Sequence, residues 1–104
     1  MLTYLTNLNY NREVLLNKKR IVLLFIAPWC LACQEILPLY EEWAKEYSDR
    51  YDFKLVDITK NKYLVKKFDV VSTLTFIIIE NRNIINRFAG MQTSDTFKFF
   101  LSNK

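Results

Sequence analysis

A pair of cysteines, Cys30 and Cys33, constrains this chain more than any other feature, because the two lie one helical turn apart and no other cysteine is present. An unbroken apolar run, residues 21–26, comes directly before them, and an amphipathic pattern that reaches about Asp49 follows. A continuous apolar run of this length is typical of a central strand that is buried on both faces. We therefore predict a buried strand, a tight turn and a long helix, with Cys30 where the helix begins.

The long helix is predicted from apolar residues that recur at three- and four-residue steps. These residues are Cys33, Ile36, Leu37, Tyr40, Trp43, Ala44 and Tyr47. Charged residues such as Glu35 and Glu42 fill the opposite side, which indicates one face in the core and one in solvent. Pro38 lies inside the pattern and removes one helical hydrogen bond, so we expect a kink there.

Shorter segments complete an alternation of strands and helices. Strands are predicted at 2–6, 21–26, 51–58, 74–79 and 84–89, and shorter helices at 9–18, 60–68 and 95–102. Asn9 is the expected cap of the first helix, Tyr63 is placed on the apolar side of the second, and residues 81–83 form a turn. This order predicts a mixed sheet with helices on both faces, in a single domain that covers residues 1–104.

Composition excludes several classes of protein. With one glycine, two prolines and 51% hydrophobic residues, the chain is neither disordered nor dependent on a metal for its core. The net charge of +4 comes from dispersed basic residues without a nucleic-acid-binding motif. The longest apolar run, 21–29, is far shorter than the roughly 20 residues that cross a membrane. The first basic side chain is Arg12, so we expect neither a signal peptide nor membrane insertion.

The spacing of the two cysteines favours redox chemistry. A thiolate, not a thiol, attacks a disulfide, and a helix N-terminus carries roughly half a positive charge. Cys30 at that position would ionise more easily than a free cysteine, and Cys33, one turn later, would reach back to it. We expect Pro28 and Trp29 to hold the turn and to present a flat apolar wall beside Cys30.

Other uses of the pair differ in how well the composition supports them. A zinc site within one chain lacks ligands, because there is no histidine and no third cysteine. A structural disulfide across so short a loop would constrain the unfolded chain little. Two buried, inert thiols remain open as an alternative at this point.

The chain resembles the thioredoxin family over nearly its whole length. The resemblance is carried by residues 25–33, Pro38, Val56, Asp57, residues 67–70, Thr75 and Gly90. It implies a thioredoxin fold of the α/β class, in which four helices flank a central mixed sheet of four or five strands. It also implies thiol–disulfide exchange, with Cys30 as the nucleophile and Cys33 as the cysteine that resolves the mixed disulfide.

Two departures from the family concern the surroundings of the sulfurs. Leu31 and Ala32 stand where the family usually has Gly-Pro, a dipeptide that tunes the redox potential. Leu24 stands where thioredoxins carry a buried aspartate, and Leu55 where a charged residue lies on the next strand. Cys33 would then lie in apolar surroundings that disfavour its thiolate. We expect either slower resolution of the mixed disulfide or proton transfer through water.

A third departure is Leu74, which stands at the position of the family's cis-proline. We predict either a trans Thr73–Leu74 bond with a shifted loop or a cis bond held by packing. In the family this loop pairs with the substrate peptide and shields the sulfurs from metals. Its change opens a further hypothesis, in which two chains share a metal or iron–sulfur cluster through Cys30 and Cys33.

The resemblance implies protein disulfides as substrates, an upstream disulfide reductase as electron donor, and no resident cofactor or metal. The residues predicted to line the substrate groove are Trp29, Thr73, Leu74, Ala89 and Gly90. Core packing is the alternative for Leu74 and Ala89. We expect a monomer in the cytoplasm, where free dithiols persist, and the direction of exchange stays open. The rival function is a binding module that keeps the fold and holds partners in the groove without catalysis.

Overall fold

The computed structural model describes residues 2–102, which form a five-stranded sheet with helices packed on both of its faces. The strands are β1 (Thr3–Tyr4), β2 (Arg20–Ile26), β3 (Tyr51–Asp57), β4 (Thr75–Glu80) and β5 (Asn83–Ala89). The helices are α1 (Leu31–Glu46), α2 (Lys62–Lys67) and α3 (Ser94–Ser102), and a π-helical turn spans Asn11–Leu15. Within residues 2–102, no helix has the length and apolar character needed to cross a membrane.

The strand order is β1-β3-β2-β4-β5. Strands β1, β3 and β2 run parallel, whereas β4 runs antiparallel to both β2 and β5. The predicted mixed sheet is confirmed, and its central strand, β2, is the apolar run that leads into the cysteine pair.

Strand β2 is buried from both sides because two separate apolar layers cover it. One layer contains alternate β2 residues such as Leu24 and packs against α1 and α3. The other contains residues such as Leu23 and packs against the π-helical turn and α2. Residues 21–26 are at most 7% exposed, which explains why the sequence shows no polar–apolar alternation there.

Helix α1 is fixed to its surroundings near its middle. The buried Tyr40 hydroxyl donates to the carbonyl oxygen of Lys54 at 2.8 Å and lies 3.1 Å from that of Val22. The Trp43 ring stacks on Phe97 of α3 with ring centroids 4.2 Å apart. These contacts hold the cysteine-bearing helix in a defined position on β2 and β3.

Strands β4 and β5 are joined by a two-residue turn of Asn81 and Arg82, which have φ angles of 51° and 70°. Positive φ at both central residues is the geometry of a type I′ hairpin, whose twist matches that of the strands. Asn83, predicted as part of the turn, instead pairs with Glu80 as the first residue of β5.

Two predictions near the surface are wrong. The helix predicted at 9–18 is only the short π-helical turn, and Asn9 does not cap it. The Asn9 side chain instead accepts from the Thr6 amide and donates to the Tyr4 carbonyl, which closes the loop after β1. Tyr63, placed on the apolar side of α2, is 60% exposed.

A buried lysine on β3 is the main feature of the fold that sequence patterns did not indicate. Lys54 is 4% exposed, and its Nζ lies 2.6 Å from a Glu13 carboxylate oxygen and 3.2 Å from one of Asp52. Asn17 also donates to Asp52, at 2.7 Å. Burying an unpaired charge costs several kcal/mol of folding free energy, so these contacts offset the desolvation cost of Lys54 in the core.

We predict that Glu13→Gln lowers the free energy of unfolding by about 1–2 kcal/mol at pH 7, because Lys54 keeps only one charged partner. The hydrogen bond from Lys54 lowers the pKa of the Glu13 carboxyl below its ordinary value. The stabilisation is therefore present above the unfolded pKa of about 4.3 and is lost as pH falls through the folded pKa.

Urea unfolding between pH 3 and 7 (roughly the range in which carboxyls titrate) measures this difference. Arg12→Gln is the matched control, because the Arg12 side chain is 71% exposed and its ion pair with Glu13 is worth little. A Glu13→Gln effect that stays constant with pH would contradict the role of the carboxylate.

Candidate active site

Cys30 lies at the end of the tight turn that connects β2 to α1. The Cys30 amide donates to the Ala27 carbonyl at 3.2 Å, and the Cys30 carbonyl accepts the first helical bond, from Gln34, at 3.2 Å. Cys30 itself has extended backbone angles, φ −91° and ψ 108°, and is the N-cap of α1. The prediction that the helix begins at Cys30 is confirmed.

The two cysteines are joined by a hydrogen bond rather than a disulfide. The Cys33 amide donates to Cys30 Sγ at 3.1 Å, so the sulfur takes the capping position that a serine or aspartate oxygen usually fills. Both thiols are free; Cys30 is half-buried and Cys33 is only 1% exposed. One sulfur is thus reachable from solvent, while the other lies one turn deeper against the core.

This geometry separates the acidities of the two thiols. Burial raises the pKa of the Cys30 thiol, but interactions with the Cys33 thiol, the Thr73 hydroxyl and the Cys33 and Ala32 amides together outweigh it, so the pKa lies below the ordinary 9.0. Burial, reinforced by the interaction with Cys30, raises the pKa of Cys33 to about 11. Cys30 is therefore the thiol that ionises first, and Cys33 holds its proton.

A loop between α2 and β4 packs beside the sulfurs. The Thr73–Leu74 peptide bond is cis, the second of the two alternatives predicted for it. The Thr75 hydroxyl donates to the Ser72 carbonyl at 2.6 Å, which closes the loop. The loop thereby presents the half-buried Thr73 side chain to both cysteines.

The predicted groove residues fall into two groups. Trp29 is 71% exposed, and Ala89 and Gly90 are also exposed beside the loop. Leu74 is different: its side chain is 3% exposed and packs in the core, and its carbonyl accepts the Gly90 amide at 3.0 Å. The Leu74 side chain therefore packs in the core, whereas Ala89 lies at the surface.

Sequence reasoning missed two apolar side chains that complete this surface. Val71 is 92% exposed and Met91 is 51% exposed. Val71 helps to line a cavity of about 470 Å³ beside the loop, together with Ser72 and Ala89. The sequence signal available for them was their position. Val71 lies two residues before the loop residue Thr73, and Met91 directly follows Gly90.

Gly90 ends β5 with a φ of +91°, a backbone conformation that side-chain-bearing residues rarely adopt. A Cβ built there would meet no atom within 4 Å. Glycine is therefore required by the backbone rather than by lack of space.

The positions predicted to lack an acid are apolar in the structure. Leu24 on β2 and Leu55 on β3 face each other in the parallel register, and both are at most 2% exposed. They form part of the same core layer as Cys33. This apolar layer accounts for the desolvation that raises the pKa of Cys33.

Among residues 2–102, no group of three or more potential ligands is arranged to hold a metal ion. A cluster shared between two chains would need both thiolates at the surface, and Cys33 is 1% exposed.

Comparison with known proteins decides the family. A family model described as Thioredoxin matches residues 1–103. The chain belongs to the thioredoxin family. The fold and the helix-capping dithiol agree with the resemblance that the sequence motifs had indicated.

Relatives bear the same family name. Thioredoxin H5 of Oryza sativa subsp. japonica is 36% identical over 87 residues, which cover 84% of this chain and 64% of the relative. Thioredoxin-T of Drosophila melanogaster is 33% identical over 85 residues, 82% of this chain and 54% of the relative. A bifunctional thioredoxin reductase/thioredoxin of Mycobacterium leprae is 28% identical over 82% of this chain and 19% of its own length. The chain thus spans between half and two thirds of the two thioredoxins.

We predict that Thr73→Val raises the pKa of Cys30, because the neighbouring hydroxyl that lowers this pKa is removed while the shape is kept. The pH dependence of iodoacetamide alkylation measures this pKa, in a Cys33→Ser background so that a single thiol titrates. The neighbouring change Ser72→Ala is the control and should leave the profile in place. An unchanged profile in Thr73→Val would show that the hydroxyl does not stabilise the thiolate.

Proposed function

We propose that this protein is a thiol–disulfide oxidoreductase that acts on protein disulfides. The observation that carries the proposal is the position of Cys30 Sγ, half-buried at the start of α1 and accepting the amide hydrogen of Cys33. A sulfur in that position is stabilised as a thiolate and remains open to another molecule.

The two thiols divide the reaction into two exchanges. The Cys30 thiolate attacks one sulfur of the substrate disulfide, a mixed disulfide forms, and the other substrate sulfur leaves as a thiolate. Cys33 then loses its proton and attacks Cys30 Sγ, so the Cys30–Cys33 bond forms and the second substrate sulfur is released. The substrate gains two electrons, and the protein dithiol is oxidised to a disulfide.

The surface around Cys30 supports a protein substrate rather than a small polar one. Trp29, Leu31, Val71 and Met91 are each more than half exposed and are apolar. Exposed apolar surface of this kind marks sites of contact with other proteins. We infer that the favoured substrates carry apolar residues next to the disulfide.

An electron donor must restore the dithiol after each turnover. We infer that an upstream disulfide reductase does so, as the bifunctional Mycobacterium leprae relative, by its name, joins a thioredoxin reductase to a thioredoxin. We also infer a monomer, because an oligomer built on the apolar surface would cover Cys30, and a cytoplasmic location, because a reducing compartment keeps such a dithiol free.

Reduction of insulin disulfides with dithiothreitol as the electron source tests the activity. We predict turnover in the wild type, its complete loss in Cys30→Ser, and a trapped mixed disulfide in Cys33→Ser, because the resolving thiol is then missing. Mass spectrometry detects the trapped adduct when pre-reduced Cys33→Ser protein is mixed with insulin after dithiothreitol has been removed, because the reductant would otherwise cleave the mixed disulfide.

Absence of turnover in the wild type would favour the binding module, a function supported by the apolar residue at position 24 and the exposed apolar surface. Metal in the purified protein, with a dimer that dissociates on chelation, would favour the shared cluster. Sedimentation with and without chelator separates that outcome from the monomer we propose.

A further inference from the structure

We propose that Asp57 accepts the proton of Cys33 when the mixed disulfide is resolved, through water in a cavity that both residues line. This inference rests on the proposed exchange activity, and it assigns a proton acceptor to a site whose family position for one, Leu24, is apolar. Asp57 lies on β3, on the strand next to β2.

The strand register places Asp57 on the correct face of the sheet. In the parallel pairing, Leu24 is opposite Leu55 and Ile26 is opposite Asp57. Phe53 and Leu55 belong to the core layer that packs on α1, and side chains two residues apart on a strand share a face. Asp57 therefore emerges on the α1 side, at the end of β3 nearest to the turn that carries the cysteines.

A cavity of about 250 Å³ connects this position to Cys33. Cys33 and Asp57 both line it, and Tyr4 and Gln34 bring further polar side chains to its wall. Liquid water occupies roughly 30 Å³ per molecule, and a buried water needs two to four polar partners. The cavity has room and partners for a short water chain between thiol and carboxylate.

Hydrogen bonds to one oxygen orient the Asp57 carboxylate, and the other oxygen is available to accept a bond from water. The Thr59 amide and hydroxyl donate to Oδ1 at 2.9 and 2.6 Å. Within the described residues, no donor bonds Oδ2. Tyr4 and Lys60 are further titratable residues beside Asp57. Tyr4 lines the cavity of about 250 Å³ together with Asp57 and Cys33, whereas Lys60 lines a second cavity with Asp57 whose lining does not include Cys33.

The proton of Cys33 passes to water and from water to Asp57, while the resulting thiolate attacks Cys30 Sγ. The Cys30–Cys33 bond forms, the bond between Cys30 and the substrate sulfur breaks, and the substrate leaves as a thiolate. Protonated Asp57 then returns its proton to solvent. Because the pKa of Cys33 is raised to about 11, resolution near neutral pH depends on such an acceptor.

Stopped-flow single turnover with a peptide disulfide whose halves carry different fluorophores separates the two exchanges. The first release reports attack by Cys30, and the second reports resolution by Cys33. We expect Asp57→Asn to slow the second phase relative to the first by about tenfold at pH 7, since positioned general bases contribute roughly 10²–10⁴-fold and a water-mediated one less. Asp49→Asn removes an exposed carboxylate beyond the far end of α1 from the cysteines, so it is the matched control and should retain the second phase.

The pH profile distinguishes proton transfer from a structural effect. The rates of the second phase in wild type and in Asp57→Asn should approach each other as pH rises toward the pKa of Cys33, because hydroxide then removes the Cys33 proton without Asp57. A second phase at the wild-type rate in Asp57→Asn, or one slowed by the same factor across the pH range, would overturn the role of Asp57. A wild type without a first phase would instead refute the proposed exchange activity, and the role of Asp57 with it.

Discussion

One hydrogen bond, from the Cys33 amide to Cys30 Sγ, organises the chemistry of this protein. It exists because β2 ends in a tight turn and α1 begins immediately after it, so that an amide left without a helical partner points at a sulfur. The same bond that caps the helix therefore also stabilises negative charge on the thiol. Structure and reactivity are coupled at this atom, and a chain that failed to start α1 at Leu31 would lose both.

The rest of the fold fixes the position of α1 and keeps water away from Cys33. Tyr40 ties the middle of α1 to the backbones of β2 and β3, and Trp43 stacks on α3. The apolar layer around Leu24 keeps Cys33 dry, which raises its pKa and leaves Cys30 as the attacking thiol. Because the same apolar surroundings keep Cys33 protonated, resolution needs a proton acceptor. We assign that role to Asp57, which shares a cavity with Cys33.

Features encoded by local patterns were predictable from the sequence. The continuous apolar run of β2 and the three- and four-residue spacing of α1 are strong local signals, and both elements appear within a few residues of their predicted bounds. The reactive pair lies between them, so its placement followed from the two elements. The type I′ turn at Asn81 and Arg82 was predicted as a turn, although its two-residue length was not.

Features set by contacts between distant parts of the chain were not predictable. Glu13, far away in sequence, supplies the shorter of the two ion pairs that compensate the buried charge of Lys54, and no local pattern records that pairing. Asn9 was expected to cap a helix, yet the nearby loop captures its side chain. Leu74 and Ala89 looked equivalent as groove candidates, and only the packing of the loop places one in the core and the other at the surface.

The fold shifts the pKa values of the two thiols in opposite directions, and ¹³C NMR titration of the Cβ shifts in cysteine-labelled, reduced wild-type protein measures both pKa values. We predict that Cys30 titrates below 9.0 and Cys33 at about 11. Titration of both thiols together near the value of a free cysteine, or of Cys33 before Cys30, would contradict it.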